Sequence, residues 1–115
     1  MLKVILALCA ESVVRDGDTN QISAFNLLEQ LTAPSFPVLL QKFSAFWYLE
    51  KGEADPETYD GTAEIRLDGE ELARLPVTVG FQGKLQTRLM LRIGGLAIPH
   101  PGELRVSLNV GELRI

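Results

Sequence analysis

His100 is the one histidine of the chain, and proton transfer or metal ligation at neutral pH would turn first to its imidazole. It stands between Pro99 and Pro101, with no second histidine to share a metal and no serine or cysteine at a spacing that suggests an activated nucleophile. An enzyme would need a cleft joining His100 to carboxylates such as Glu103 or Asp60, whereas the flanking prolines favour a surface turn. Cys9, the one cysteine, sits between Leu8 and Ala10 in an apolar run, where a thiol is usually a small buried hydrophobe with a raised pKa. No catalytic residue and no cofactor site is expected from either.

Asp16, Asp18 and Asn20 imitate the first three ligands of a calcium loop, in which oxygen donors at alternate positions converge on one hard cation. Such a loop needs glycine at its sixth position and a bidentate glutamate at its twelfth, and here Gln21 and Leu27 stand there. A hairpin turn accounts for the same residues. The acidic set Glu50, Glu53, Asp55, Glu57 and Asp60 reads as a solvated loop, so no metal site is expected. Arg88, Arg92 and Arg105 belong to the polar faces of two strands. If those strands are neighbours, the three would share a surface with Arg66 or Lys84 and could grip a carboxylate or phosphate. Glu64 and Glu103 would lie among them, and cross-strand ion pairing competes with anion binding. Gly94-Gly95 lacks the helix start that a phosphate cradle requires.

These residues must be carried by strands, because period two dominates the second half of the chain. Ala63, Ile65 and Leu67 alternate with Thr62, Glu64, Arg66 and Asp68. Leu85 to Ile93 and Leu104 to Val110 repeat the pattern. Asp68-Gly69 leads into Ala73, Leu75, Val77 and Val79, a strong hairpin signal, and Pro76 removes a ladder donor and so predicts an edge strand. Arg15 to Asp18 predicts a turn from the first strand into Ile22–Leu31, a segment that fits strand or one face of a helix. Ala33 to Pro37 then suits an extended connection. Glu50 to Gly61 is predicted as loop.

Val4 to Cys9 is apolar on both faces, and Leu39 to Leu49 puts Phe43, Ala45 and Trp47 on one side and Leu40, Phe46 and Tyr48 on the other. One face of each meets a core, and the other needs cover from a loop, a second copy or another protein. Leu40, Phe46 and Tyr48 are therefore the expected partner-binding residues, since aromatic side chains are typical interface anchors.

At 115 residues, 46% hydrophobic and 23% charged, the chain is expected to fold as one domain over residues 1–115. Its formal charge of -4 disfavours nucleic acid and anionic membranes as partners. The opening Met1-Leu2-Lys3 and the seven-residue apolar run Val4–Ala10 fall short of a secretion signal, and one cysteine suits a reducing compartment, so a cytoplasmic location is expected.

The opening stretch LALCAESVVRDGDTNQISAFNLLEQL (Leu6 to Leu31), Pro34-Ser35-Phe36-Pro37, and the stretch from Gly95 to Val106 together resemble a family of short bacterial single-domain β-sandwich proteins of immunoglobulin-like character and unknown function. The resemblance covers most of the chain and implies strand over helix for Ile22–Leu31. It implies no catalytic residue. The expected fold is all-β, a two-sheet antiparallel sandwich of about seven or eight strands, immunoglobulin-like or jelly-roll-like. The expected function is a non-enzymatic interaction or assembly module, self-associating as a homo-oligomer or docking a protein partner through an apolar strand face or sheet edge. The alternative is a small-ligand or polyanion binder using Arg88, Arg92 and Arg105, with an enzyme the weakest reading.

Overall fold

The structure, a computed structural model, describes residues 2–27 and 35–110 and the backbone of residues 113–114. Every regular element among them is a strand: β1 (Lys3–Arg15), β2 (Ile22–Leu27), β3 (Val38–Leu40), β4 (Phe43–Glu50), β5 (Thr58–Leu67), β6 (Glu70–Gly80), β7 (Gln86–Ile93), β8 (Leu96–Ile98), β9 (Leu104–Val110) and β10 (Leu113–Arg114). The chain is all-β, as the alternation requires. Its contacts fall into two compact units. One comprises Met1–Ile5, Tyr48–Leu89 and Gly102–Ile115, the other Leu6–Trp47 and Met90–Pro101. The strands form three antiparallel sheets, ordered β2-β1-β4-β7, β10-β9-β5-β6 and β3-β8.

In the first unit β5 is paired on both sides. Leu67 lies opposite Glu70 across a loop of two residues, Asp68 (φ 49°) and Gly69 (φ 84°). Positive φ at both positions is the type I′ geometry whose twist matches that of the flanking strands. The register then runs back through Glu64 opposite Arg74 to Thr58 opposite Gly80, with a bulge that leaves Leu72 unpaired. On the other side of β5, Leu67 faces Leu104 and Gly61 faces Val110. Alternation buries Ala63, Ile65 and Leu67 of β5 and Leu108 and Val110 of β9, and Val79 and Phe81 are buried too. Each of these side chains larger than alanine contributes about 1.5–3 kcal/mol. β6 is last in its sheet among the described strands, an edge position that suits Pro76, which has no N–H to donate.

The polar face of the same sheet is laced by ions. Arg74 reaches Glu64 at 2.9 Å and Glu71 at 2.8 Å, while Arg66 reaches Glu64 at 3.0 Å and Glu71 at 3.8 Å. The β5–β6 turn is also fastened to the segment before β9. The Asp68 amide donates to the Glu103 carbonyl at 3.0 Å, and the Glu103 amide donates to Asp68 Oδ1 at 2.9 Å.

In the second unit β3 pairs with β8, Val38 opposite Ile98 and Leu40 opposite Leu96. β1 and β2 form a hairpin in which Arg15 faces Ile22 and Ala10 faces Leu27. Ile22–Leu27 is strand; residues 28–34, which hold the rest of the predicted Ile22–Leu31 segment and the start of the proline connection, lie outside the described residues. Two sequence boundaries are corrected. The predicted run Leu39 to Leu49 divides at Gln41-Lys42 into β3 and β4, which belong to different sheets. The predicted loop to Gly61 ends at Glu57, because Thr58 to Gly61 pair with Gly80 to Val77 and so extend β5.

Gly61 marks the tightest approach in the first sheet. A Cβ there would lie 2.5 Å from a Val110 methyl and would strike the Asn109 carbonyl, whereas a Cβ on Gly80 meets nothing within 4 Å. Gly61→Ala should therefore lower unfolding stability by about 1–3 kcal/mol through overpacking. Gly80→Ala should change it little. Urea midpoints of the two variants against the parent protein check the contrast.

Candidate functional site

The ribbon of β1 and β2 begins with its turn. Asp16 Oδ1 accepts the amide of Asp18 at 2.8 Å and that of Thr19 at 3.2 Å, the side-chain turn that short acidic residues make. The Asn20 amide donates to the Asp16 carbonyl at 2.9 Å, the Asp16 amide to the Gln21 carbonyl at 2.8 Å, and Asn20 takes φ 60°. These amides hold the Asp16 carboxyl below its ordinary pKa, the Asp18 N–H most and the Thr19 N–H next. Asn20 Oδ1 accepts from Arg15 at 3.2 Å. The residues that imitate a calcium loop are thus spent on closing a hairpin, and among the described residues no three of His, Cys, Asp and Glu gather as metal ligands.

Beyond the turn, the register decides which side chains share a face. Residues opposite one another in an antiparallel pair lie on the same side, as do alternate residues along a strand. Leu27 faces Ala10, Phe25 faces Ser12 and Ser23 faces Val14, so the register puts Phe25 and Leu27 on one face with Val14 of β1, while Leu6 lies further along β1, beyond these pairs. All four are exposed: Leu6 by 48%, Val14 by 41%, Phe25 by 54% and Leu27 by 55%. Ala10, between them, is fully buried. The result is a strip of large apolar groups on the face of a two-stranded ribbon. Asn26 punctuates it with φ 57°, and its side-chain amide donates to Glu11 Oε2 at 2.9 Å. The hint in the sequence was the apolar run of β1, which is apolar at both odd and even positions. β2 carried no comparable signal, because Phe25 and Leu27 read equally well as one side of a helix.

The residues expected to bind a partner lie elsewhere. Phe46 is 4% exposed, and every residue from Phe43 to Trp47 is buried, so both faces of β4 are covered there. β4 stands between β1 and β7 in its sheet, and an interior strand has neighbours along both edges. Phe46 is thus covered within the chain, one of the alternatives expected for that face. Tyr48 is half-buried, and its hydroxyl donates to Gln86 Oε1 at 2.7 Å. Leu40 is half-buried on β3, beside the more exposed Leu39.

The arginines are not assembled by strand pairing. Arg88 and Arg92 are on β7, in the sheet with β1, β2 and β4, while Arg105 is on β9 in the sheet with β5. The condition for a surface shared through strand pairing, that β7 and β9 be neighbours, is therefore not met. Arg92 donates to the Val13 carbonyl at 3.0 Å, and Arg105 pairs with Glu103 at 2.9 Å, so both are engaged by the chain itself. Arg66 does face Arg105 across the β5–β9 pair but is held by Glu64 and Glu71.

His100 is exposed, with Nδ1 2.9 Å from the Pro101 carbonyl. Asp60 Oδ1 accepts the Thr78 hydroxyl at 3.0 Å, and Glu103 has the partners already named. Cys9 is half-buried, and burial raises its thiol pKa. No helix among the described residues is long and apolar enough to cross a membrane.

Sequence inspection missed one cluster. Lys51 has a side chain only 3% exposed, and its ammonium lies 3.1 Å from Glu57 Oε1 and 5.7 Å from the centre of the Phe81 ring. Glu57 Oε2 accepts the Gly83 amide at 2.7 Å, the Phe81 amide donates to the Glu57 carbonyl, and the Lys51 amide donates to the Leu85 carbonyl. A buried cation must be paired, and this one ties the β4–β5 connection to the turn between β6 and β7. The signal available in the sequence was weak, a lysine directly after an apolar strand.

Comparison of the chain with protein-family models, with curated proteins and with solved structures finds no match. The family resemblance gains no support from them, and what stands is a small all-β chain.

The Gly83 amide, and then Lys51, keep the Glu57 carboxyl below its ordinary pKa. A depressed carboxyl binds fewer protons folded than unfolded, so its contribution is present above the unfolded carboxylate range and is lost as pH falls through the folded pKa. Glu57→Gln should lower the Tm at pH 7 and narrow the difference from the parent protein as pH is brought toward 3. Thermal melts of both proteins across pH 3–7 check this.

Proposed function

We propose that the chain is a non-enzymatic interaction module that self-associates or docks a protein partner through the β1–β2 ribbon. The observation that carries this reading is the exposure of four large apolar side chains on this ribbon, Leu6, Val14, Phe25 and Leu27, of which the register puts Val14, Phe25 and Leu27 on one face. Contiguous apolar groups on a surface mark contact sites, because they remain in water unless something covers them. Aromatic Phe25, which the register sets between Leu27 and Val14, is the type of side chain that anchors interfaces.

A second feature points the same way. β2 is the last strand of its sheet among the described residues, and Ile22–Leu27 contains no charged residue and no proline. Edge strands are ordinarily blunted by such residues, and β6, at the end of the other four-stranded sheet, has Pro76, Glu70, Glu71 and Arg74. An unguarded edge suits pairing with another chain.

The finer architecture belongs to the same proposal. Strands with one buried and one polar face, such as β5, suit a sandwich with immunoglobulin-like connections, which is the architecture proposed here from the resemblance to short bacterial proteins. One cysteine and no disulfide suit a cytoplasmic location.

Solution mass by light scattering over a dilution series tests the reading. A concentration-dependent oligomer is expected, with Phe25→Glu folded and its dissociation constant raised at least about tenfold, as for an interface anchor. Phe46→Glu should instead unfold the chain, since truncation alone of a buried phenylalanine costs about 3–5 kcal/mol. Circular dichroism separates the two outcomes. A strict monomer at every concentration would remove self-association and leave a heterologous partner. A monomer whose Phe25→Glu variant also loses no binding of an apolar dye would sink the ribbon as a contact surface.

A further inference from the structure

We draw no further inference here: the strongest candidate, the exposed apolar strip and uncharged edge of the β1–β2 ribbon, belongs to the surface already described, and nothing in the structure shows what covers it.

Discussion

The register of β5 is the constraint on which the first unit depends. The Asp68-Gly69 turn sets it against β6, because two residues of positive φ close a hairpin with Leu67 directly opposite Glu70. Shifting the pairing by one residue would send Ala63, Ile65 and Leu67 to the wet face and bring Glu64 and Arg66 inward. The same register places Glu64 opposite Arg74 and Arg66 opposite Glu71, so the ion network follows from the turn and not the reverse. The two arginines and Glu71 remain partly exposed, and ion pairs of that kind are worth well under the burial of one isoleucine. Their arrangement is a consequence of the apolar pattern, with specificity as a secondary benefit.

The β1–β2 ribbon has a comparable turn but lacks the matching chemistry on its faces. Its loop is closed by Asp16 through side-chain and backbone bonds, all of them exposed to solvent. Along β1 the buried residues Ala10 and Val13 are three apart and so break strict alternation. Between Val4 and Ala10 neither parity of the strand carries a charged residue that would mark a solvent face. Apolar groups then remain outside on one side whichever face is turned in, and that surplus in the sequence of β1 becomes the exposed strip.

Readability from the sequence followed this difference. Where one parity was apolar and the other charged, as in β5, β7 and β9, alternation located the strand to within a few residues. Asp-Gly and Pro76 then placed the first hairpin and its edge. Where both parities were apolar, the pattern had no period to read. The break between β3 and β4 falls at Gln41-Lys42, two polar residues that look like one step of an alternating run. Thr58 to Gly61 reads as loop because Asp60 and Gly61 are poor strand formers. Gly61 is required there by the close approach of Asn109 and Val110, a tertiary reason that no local preference encodes. The pairing of Lys51 with Glu57 was hidden for the same reason, since it depends on how the β6–β7 turn returns to the β4–β5 connection.

The placement of the aromatic residues turns on position in the sheet more than on type. Phe25 and Phe46 sit in segments of similar local character, and strand parity assigns each a face without saying whether that face is covered. β4 has strand neighbours on both edges, and its residues are buried at odd and even positions alike. β2 is terminal among the described strands, and its side chains are exposed at nearly every position. A central strand inherits cover for both faces from the layers around it, whereas a terminal one has few neighbours to supply any. An apolar terminal strand therefore keeps a demand for cover that its own sheet leaves unmet. That demand is a stronger guide to a contact surface than the count of aromatic residues, which in this chain leads to β4.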